Sequence, residues 1–280
     1  MKRLFSTICL IILSLTGYAK PDSLPRVVSM TPNLTEIICE LGRGNCLVGR
    51  SDACDYPASV QKLPTAGKFG IPNTEQILKL KPDLIITSAL KDKTEIKKYK
   101  AYGIKIYFLP YDKLEDYFTA VKKLGEILDC RQKASELTAT TRKKLRALKI
   151  QAEKTPLAQR PKILLALHDS PLMTIGRKSY INDMINYAGG VNIAAKFNRS
   201  YFNCSLEWVV MRQPDILILP GQKAQKVNEI MKQPGWRSIK AVTNKQVYYN
   251  LDPDLIYRLG PRTISGIEQI KAIIDNRKKQ

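Results

Sequence analysis

The stretch TEQILKLKPDLIITS, residues 74–88, decides the fold, because most of it returns as LEWVVMRQPDILILP at 206–220. In each copy a glutamate, Glu75 or Glu207, heads a short segment with apolar residues three and four apart. Pro-Asp follows at matching distances (Pro82-Asp83 and Pro214-Asp215), and an aliphatic, β-branched run closes the unit. The spacing predicts a helix, the proline bars its continuation, and the β-branched run predicts a strand. A helix-to-strand unit used twice implies two halves built alike.

Working outward, RVVSM (26–30) reads as a first strand followed by a Thr31-Pro32-Asn33 turn. Asn33 or Thr35 can cap the helix TEIICELG, which Gly42 ends. A strand at Leu47-Val48-Gly49, the loop RSDACDYP, the opening unit, and a further helix and strand in EIKKYKAYGIKIYFL complete the first half. The second half repeats the order with KILLALH, SYINDMINYAGG, the second unit, VNEIMKQPGW with NKQVYYN, and a closing helix RTISGIEQIKAIIDN. Between the halves, about 113–155 has helical spacing broken only near Asp129-Cys130. The expected fold is α/β: two lobes with mainly parallel sheets flanked by helices, joined by one long interdomain helix. The divisions are an N-terminal lobe over 20–112, a helical segment with the bridging helix over 113–159, and a C-terminal lobe over 160–280. Ligands of such sheets bind beyond the carboxyl ends of strands and at domain interfaces.

Residues 1–19 read as a secretory signal peptide: Lys2 and Arg3, an apolar run Leu4–Leu15, and small residues ending at Ala19. Cys9 lies inside the apolar run, and no cysteine stands at the cleavage point, so a free periplasmic protein is expected. The chain carries a formal charge of +21, two of those charges in the leader. That surplus suits anionic partners. The basic residues are scattered among helical stretches and no nucleic-acid-binding motif accompanies them, so a solvated basic surface is expected and no nucleic acid. Five cysteines remain beyond the leader: Cys39, Cys46, Cys54, Cys130 and Cys204. The odd number leaves one thiol unpaired, and Cys39 with Cys46 is the easiest local bridge.

RVVSMTPNLTEIICELG, CDYP, NTEQILKLKPDLIITS, PLMTIGRKSYINDMINYAGGVNIA and GPRTISGIEQI, in this order, resemble the helix-bridged periplasmic binding proteins. These deliver cobalamin, ferric siderophores or haem to ABC importers, and the vitamin B12-binding branch is the nearest in pattern. The resemblance implies a monomeric, non-enzymatic protein that holds a corrinoid between its lobes, with cobalt inside the ligand and no catalytic cofactor. Its partners would be an inner-membrane permease dimer and its ATPase subunits. Glu75 and Glu207 match the carboxylates that meet permease arginines, although a first-turn glutamate is also favoured by the helix dipole alone. Phe69 and Tyr201, each six residues before its glutamate, match aromatic positions at the cleft. Asp254 and Arg258 match polar contacts to ligand side groups, with a plain i,i+4 ion pair as the alternative. Met173 and Leu167 fall where the second lobe lines the cleft. His168 and Cys54 are candidate soft donors to a bound metal, against the plainer readings of a hydrogen-bonded strand-end histidine and a structural thiol. Ala53 and Ser88 are small where B12-binding relatives can present aromatics, which implies a roomier cleft.

A single histidine argues against resident zinc or manganese, and no metal site is expected. Lys68 stands where haem-binding relatives carry a tyrosine. Ferric siderophore is the alternative ligand, with Arg50, Arg177, Tyr180 and Arg258 as its donors. A hydrolytic enzyme would need a triad on His168, and G-x-S-x-G and H-E-x-x-H are both absent.

Overall fold

The structure is a computed structural model that describes residues 24–89 and 94–277. The signal-peptide reading of 1–19 lies outside the described residues. The first half contains strand β1 (Val27–Ser29), helix α1 (Pro32–Glu40), β2 (Leu47–Arg50), a short β3 (Gly67–Lys68) and β4 (Ile71–Pro72). Helix α2 (Thr74–Leu80), β5 (Leu84–Thr87), α3 (Thr94–Ala101) and β6 (Lys105–Phe108) follow. Next come α4 (Leu114–Ile127) and the long α5 (Arg131–Glu153). The second half runs β7 (Lys162–Asp169), β8 (Leu172–Ile175), α6 (Tyr180–Tyr187), β9 (Val191–Asn192), β10 (Tyr201–Asn203), α7 (Leu206–Arg212) and β11 (Ile216–Ile218). It ends with α8 (Ala224–Lys232), α9 (Lys240–Thr243), β12 (Val247–Tyr248), α10 (Pro253–Tyr257) and α11 (Thr263–Arg277).

The internal repeat extends to strand order. The first sheet is β2-β1-β5-β6, all parallel. The second contains the matching parallel set β9-β7-β11-β12. It departs from the expected parallel sheet on one side, where β8 and β10 add as an antiparallel extension. The cause is a tight β7–β8 hairpin through Ser170-Pro171, which turns the chain straight back.

The repeated unit works identically in both halves. Asn73 Oδ1 accepts the Gln76 N–H at 3.1 Å, and Ser205 Oγ accepts the Trp208 N–H at 3.2 Å, capping α2 and α7. Each helix ends on a left-handed residue, Lys81 (φ 47°) or Gln213 (φ 45°). The proline that follows cannot continue the helix, and the aspartate turns inward. Asp83 Oδ2 accepts the backbone N–H of Arg26 at 2.8 Å, and Asp215 Oδ2 accepts that of Lys162 at 2.8 Å. The Pro-Asp pair therefore pins the start of each lobe's central strand. At α1 the sequence reading shifts by two residues: Pro32 occupies the first helical turn after Thr31, which frees Asn33 from capping.

Side chains alternate across both sheets, so each has two packed faces. Val28, Ile85 and Ile77 form a core on the outer face of the first, and Leu164, Ala166 and Leu217 on the outer face of the second. The inner faces share one continuous core: Val27 and Ile86 belong to the same cluster as Ile163, Leu165 and Ile218. Helix α5 has 23 residues, a span of about 34 Å at ~1.5 Å per residue. It packs on α4 at one end and on α6 and α11 at the other.

Asp215 also meets Lys240 Nζ at 2.7 Å and Arg277 Nη1 at 3.7 Å. Burial works to raise this carboxyl, but Lys240 and the Lys162 N–H outweigh it and hold it below the usual range. Its contribution to stability is therefore present above the ordinary carboxylate pKa and lost as pH falls through the lowered one. Asp83→Asn is expected to cost about 1 kcal/mol and Asp215→Asn about 2 kcal/mol in urea unfolding at neutral pH. An Asp215 effect no larger than the Asp83 effect would contradict this assignment.

Candidate functional site

Between the lobes lies a cavity of about 270 Å³ to which both contribute. Pro32, Asn33, Ala53, Phe69 and Ser88 line it from the first lobe, Tyr111 from the connection, and Tyr257 with Arg258 from the second. Its first-lobe wall sits at the carboxyl ends of β1, β2 and β5, where open α/β sheets take ligands.

Phe69 is presented by a tight turn between β3 and β4. Gly67 (φ 140°) and Gly70 (φ 63°) adopt backbone conformations that side chains rarely take, and a Cβ on Gly70 would stand 2.9 Å from the Ala89 oxygen. Asp52 Oδ1 accepts the Phe69 N–H at 3.1 Å, fixing the turn from below. The ring is left 44% exposed at the cavity mouth. An aromatic face held this openly by a rigid turn is available to a flat partner.

The floor behind it is polar and fully hydrogen-bonded. Ser88 Oγ bridges Thr31 Oγ1 and Asn33 Oδ1 at 3.0 Å each. Thr35 Oγ1 donates to Ser29 Oγ at 2.8 Å and lies 3.1 Å from Cys54 Sγ. Cys54, a candidate donor by sequence, is thereby corrected: its side chain has 0% exposure and points into the first lobe. Burial pushes its thiol up, against the lowering effect of its Ser51 and Thr35 hydrogen bonds, so it is a neutral structural thiol. The Cys39–Cys46 bridge is corrected too, since the five cysteines among the described residues are all free thiols.

Across the cleft runs an ion-pair network absent from the sequence reading. Glu36 on α1 has only 2% of its side chain exposed. It accepts two hydrogen bonds from Arg262, Nε to Oε2 at 2.9 Å and Nη2 to Oε1 at 2.7 Å. Arg258 Nη1 lies 3.3 Å from Glu36 Oε1 and 2.6 Å from Asp55 Oδ1, and its Nη2 lies 2.9 Å from Asp254 Oδ1. The i,i+4 pair read from sequence thus exists, inside a larger latch between the lobes. Arg262 also lies over the Tyr56 ring at 4.0 Å. The Arg258 hydrogen bond holds Asp55 below the usual carboxylate range, while burial raises Asp254. The only cue in the sequence was an acidic residue within the apolar run of α1.

Tyr201 is 37% exposed and belongs to a tyrosine group with Tyr111, Tyr180 and Tyr257, whose proximity together with burial raises Tyr180. The Tyr111 and Tyr180 rings meet in a tilted pair with centroids 6.4 Å apart, and the buried Tyr180 hydroxyl donates to the Ile256 oxygen at 3.2 Å. Tyr201, Met173, Leu167 and His168 lie outside the cavity lining. A bulge in β7 sets His168 opposite Met173. His168 Nδ1 accepts the Ser170 N–H at 3.2 Å and lies 3.3 Å from the Pro171 oxygen, so this nitrogen is engaged by the backbone of its own hairpin. Asp169 is spent on Lys226 at 2.6 Å, so the His-Asp-Ser run forms no triad. Glu75 and Glu207 head α2 and α7, both exposed, Glu75 meeting Lys79 at 2.7 Å. Backbone and Ser205 hydrogen bonds lower Glu207.

Two lobes bridged by a helix around a shared cleft form an architecture suited to holding a ligand between them; among the described residues no group of His, Cys, Asp and Glu is placed to hold a metal ion. The chain belongs to the periplasmic binding protein family, whose model matches residues 27–255, and its members are binding components of transport rather than enzymes. A vitamin B12-binding protein of Vibrio vulnificus (strain CMCP6) is 30% identical over 271 residues, 96% of each chain. The crystal structure of the periplasmic vitamin B12-binding protein of Vibrio cholerae superposes with a TM-score of 0.77 at 27% identity, covering 92% of this chain and 99% of that one. A periplasmic haem-binding protein of Roseiflexus sp. RS-1, in apo form, gives 0.79 at 25% identity over 91% and 99%.

Removing Glu36 strands Arg262 without its buried counter-charge, while Arg258 keeps Asp55 and Asp254. Glu36→Ala is expected to cost about 3–5 kcal/mol in urea unfolding, while Asp55→Asn, at the half-exposed end, costs under about 1 kcal/mol. Similar small losses for both would show that the latch is not held by Glu36.

Proposed function

We propose that the protein captures a corrinoid of the cobalamin type at the interlobe cleft, outside the cytoplasmic membrane, and passes it to an ABC importer. The observation that carries this reading is the open Phe69 face at the mouth of a cavity shared by both lobes. The B12-binding relatives support the same ligand class. The cavity of about 270 Å³ is at the small end of ligand sites, which run to ~300–1,000 Å³. A macrocycle therefore lies across the mouth, its flat face on Phe69 and its edge toward Tyr201, Tyr111 and Tyr257. Ala53 and Ser88, both small, leave the recess into which a ring substituent fits. Asn33, Arg258 and Asp254 offer hydrogen bonds to amide side groups, and Met173 and Leu167 supply apolar surface further along the second lobe. The metal belongs to the ligand.

Glu75 and Glu207 occupy equivalent helix heads and are free of the cleft, which suits rim charges that orient a partner more than they hold it. Their partners would be the two permease subunits, served by ATPase subunits on the far side of the membrane. Export with cleavage after Ala19 and a monomeric state complete the proposal.

Ferric siderophore binding receives less support. Of its candidate donors, Tyr180 is 1% exposed, and Arg50 is tied to the backbone oxygens of Ser51, Asp52 and Gln61. Arg258, already tied to three carboxylates, favours neither ligand over the other. Haem is opposed by Lys68 at the position where the resemblance calls for tyrosine.

Gel filtration of the mature protein mixed with cobalamin should give a red protein peak at one ligand per chain. Colourless protein whose tryptophan fluorescence is quenched by a ferric catecholate would replace the corrinoid reading with the siderophore one. Phe69→Ala and Tyr201→Ala should each weaken cobalamin binding by about tenfold, the loss of roughly 1.4 kcal/mol of ring contact. Unchanged affinity in both would move the site elsewhere. Glu75→Arg with Glu207→Arg should abolish uptake by cells while leaving cobalamin affinity intact; normal uptake would remove the docking role.

A further inference from the structure

A second groove, separate from the cleft cavity, lies where the start of α4, the middle of α5 and the β8–α6 turn converge. Its volume is about 790 Å³, larger than the cleft cavity of about 270 Å³. Six basic side chains line it, Lys113, Arg142, Arg146, Lys149, Arg177 and Lys178, against two acidic ones, Glu115 and Asp183.

Both carboxylates are already engaged. Glu115 pairs with Arg142, whose guanidinium also lies 4.0 Å over the Phe118 ring. Asp183 Oδ2 accepts the Leu114 N–H at 3.3 Å and faces Lys113. Lys149 lies 3.8 Å from Glu153 on its own helix. Arg146, Arg177 and Lys178 make no ion pair among the described residues; Arg177 reaches only the Asn198 amide oxygen, at 3.2 Å. Arg146 comes from the bridging helix and the other two from the second lobe. Three elements thus bring six basic side chains into one trough, where two carboxylates balance only part of the charge.

Like charges gathered around low-dielectric walls focus a field that draws in anions. Phe118, Leu145 and Tyr187 supply such walls here. The planar forks of Arg142, Arg146 and Arg177 match the paired oxygens of a phosphate group, and the lysines add point charges beside them. The groove is large enough for more than one such group. We propose that it is a binding site for a phosphate-bearing polyanion, independent of the ligand in the cleft. Two sources share this chemistry: the headgroups of an anionic phospholipid surface and a soluble phosphate chain.

The test uses the mature chain, a double variant Arg146→Glu/Lys178→Glu, and a control Lys97→Glu/Lys100→Glu that removes the same charge from α3. Titration calorimetry with sodium tripolyphosphate and co-sedimentation with vesicles of phosphatidylglycerol or of phosphatidylcholine alone provide the two arms. Saturable binding at one site per chain is expected, weakened at least tenfold in the groove variant and less than twofold in the control. Binding to tripolyphosphate but not to vesicles assigns a soluble anion; salt-sensitive sedimentation with phosphatidylglycerol alone, lost in the groove variant, assigns a lipid headgroup. Absence of polyanion binding in both arms, or equal losses in the groove and control variants, overturns the proposal. An unchanged melting temperature of the groove variant shows that it folds.

Discussion

The rest of the site depends on one buried carboxylate. Glu36 sits with 2% of its side chain exposed, an arrangement whose desolvation cost only close, well-directed counter-charges offset. Arg262 supplies a two-pronged pair and Arg258 a third contact. These partners come from beyond the whole of both sheets, so satisfying Glu36 brings the first helix of one lobe against the corner before α11 of the other. The cleft walls are thereby set before any ligand arrives. The shared inner core through α4, α5 and α6 acts in the same direction. Lobes joined this way resist the wide hinging of binding proteins linked by flexible strands.

The two halves use acidic residues for opposite purposes. In each repeated unit the aspartate after the proline turns inward and closes the end of the central strand. The glutamate at the helix head stays in water. One carboxylate closes the lobe's central strand, and the other stays exposed at the helix head. The identical geometry in both lobes places two exposed acidic helix heads on equivalent elements.

Much of the architecture was legible in the sequence. The α2 and α7 units, the break at Asp129 and the 23-residue bridging helix follow from short-range rules of periodicity, proline exclusion and capping. Phe69 was legible through the resemblance and its six-residue offset from Glu75, and the Gly67 and Gly70 turn explains why its ring stays exposed. Glu36 was not, because its partners lie 222 and 226 residues away and a helical glutamate ordinarily reads as solvated. Tyr111 and Tyr257 reach the cavity through tertiary placement that no local pattern encodes. Cys54 and Tyr180 misled for the converse reason: chemistry-bearing side chains in cleft segments turn inward once the hydroxyls of Thr35 and Ser51 and the Ile256 oxygen offer them partners. The antiparallel extension depends on the tight β7–β8 hairpin and on β10, which pairs with β8 across the intervening α6 and β9.

The proposed binding mode is a cleft fixed by Glu36 that takes a corrinoid across its mouth. A crystal structure of the mature protein with cobalamin tests it most directly. The corrin ring is expected on Phe69, near Tyr201 and Tyr257, with both Arg262–Glu36 hydrogen bonds kept and the lobes in their present relation. A corrin bound away from Phe69, or lobes rotated with the Glu36 pair broken, would contradict it.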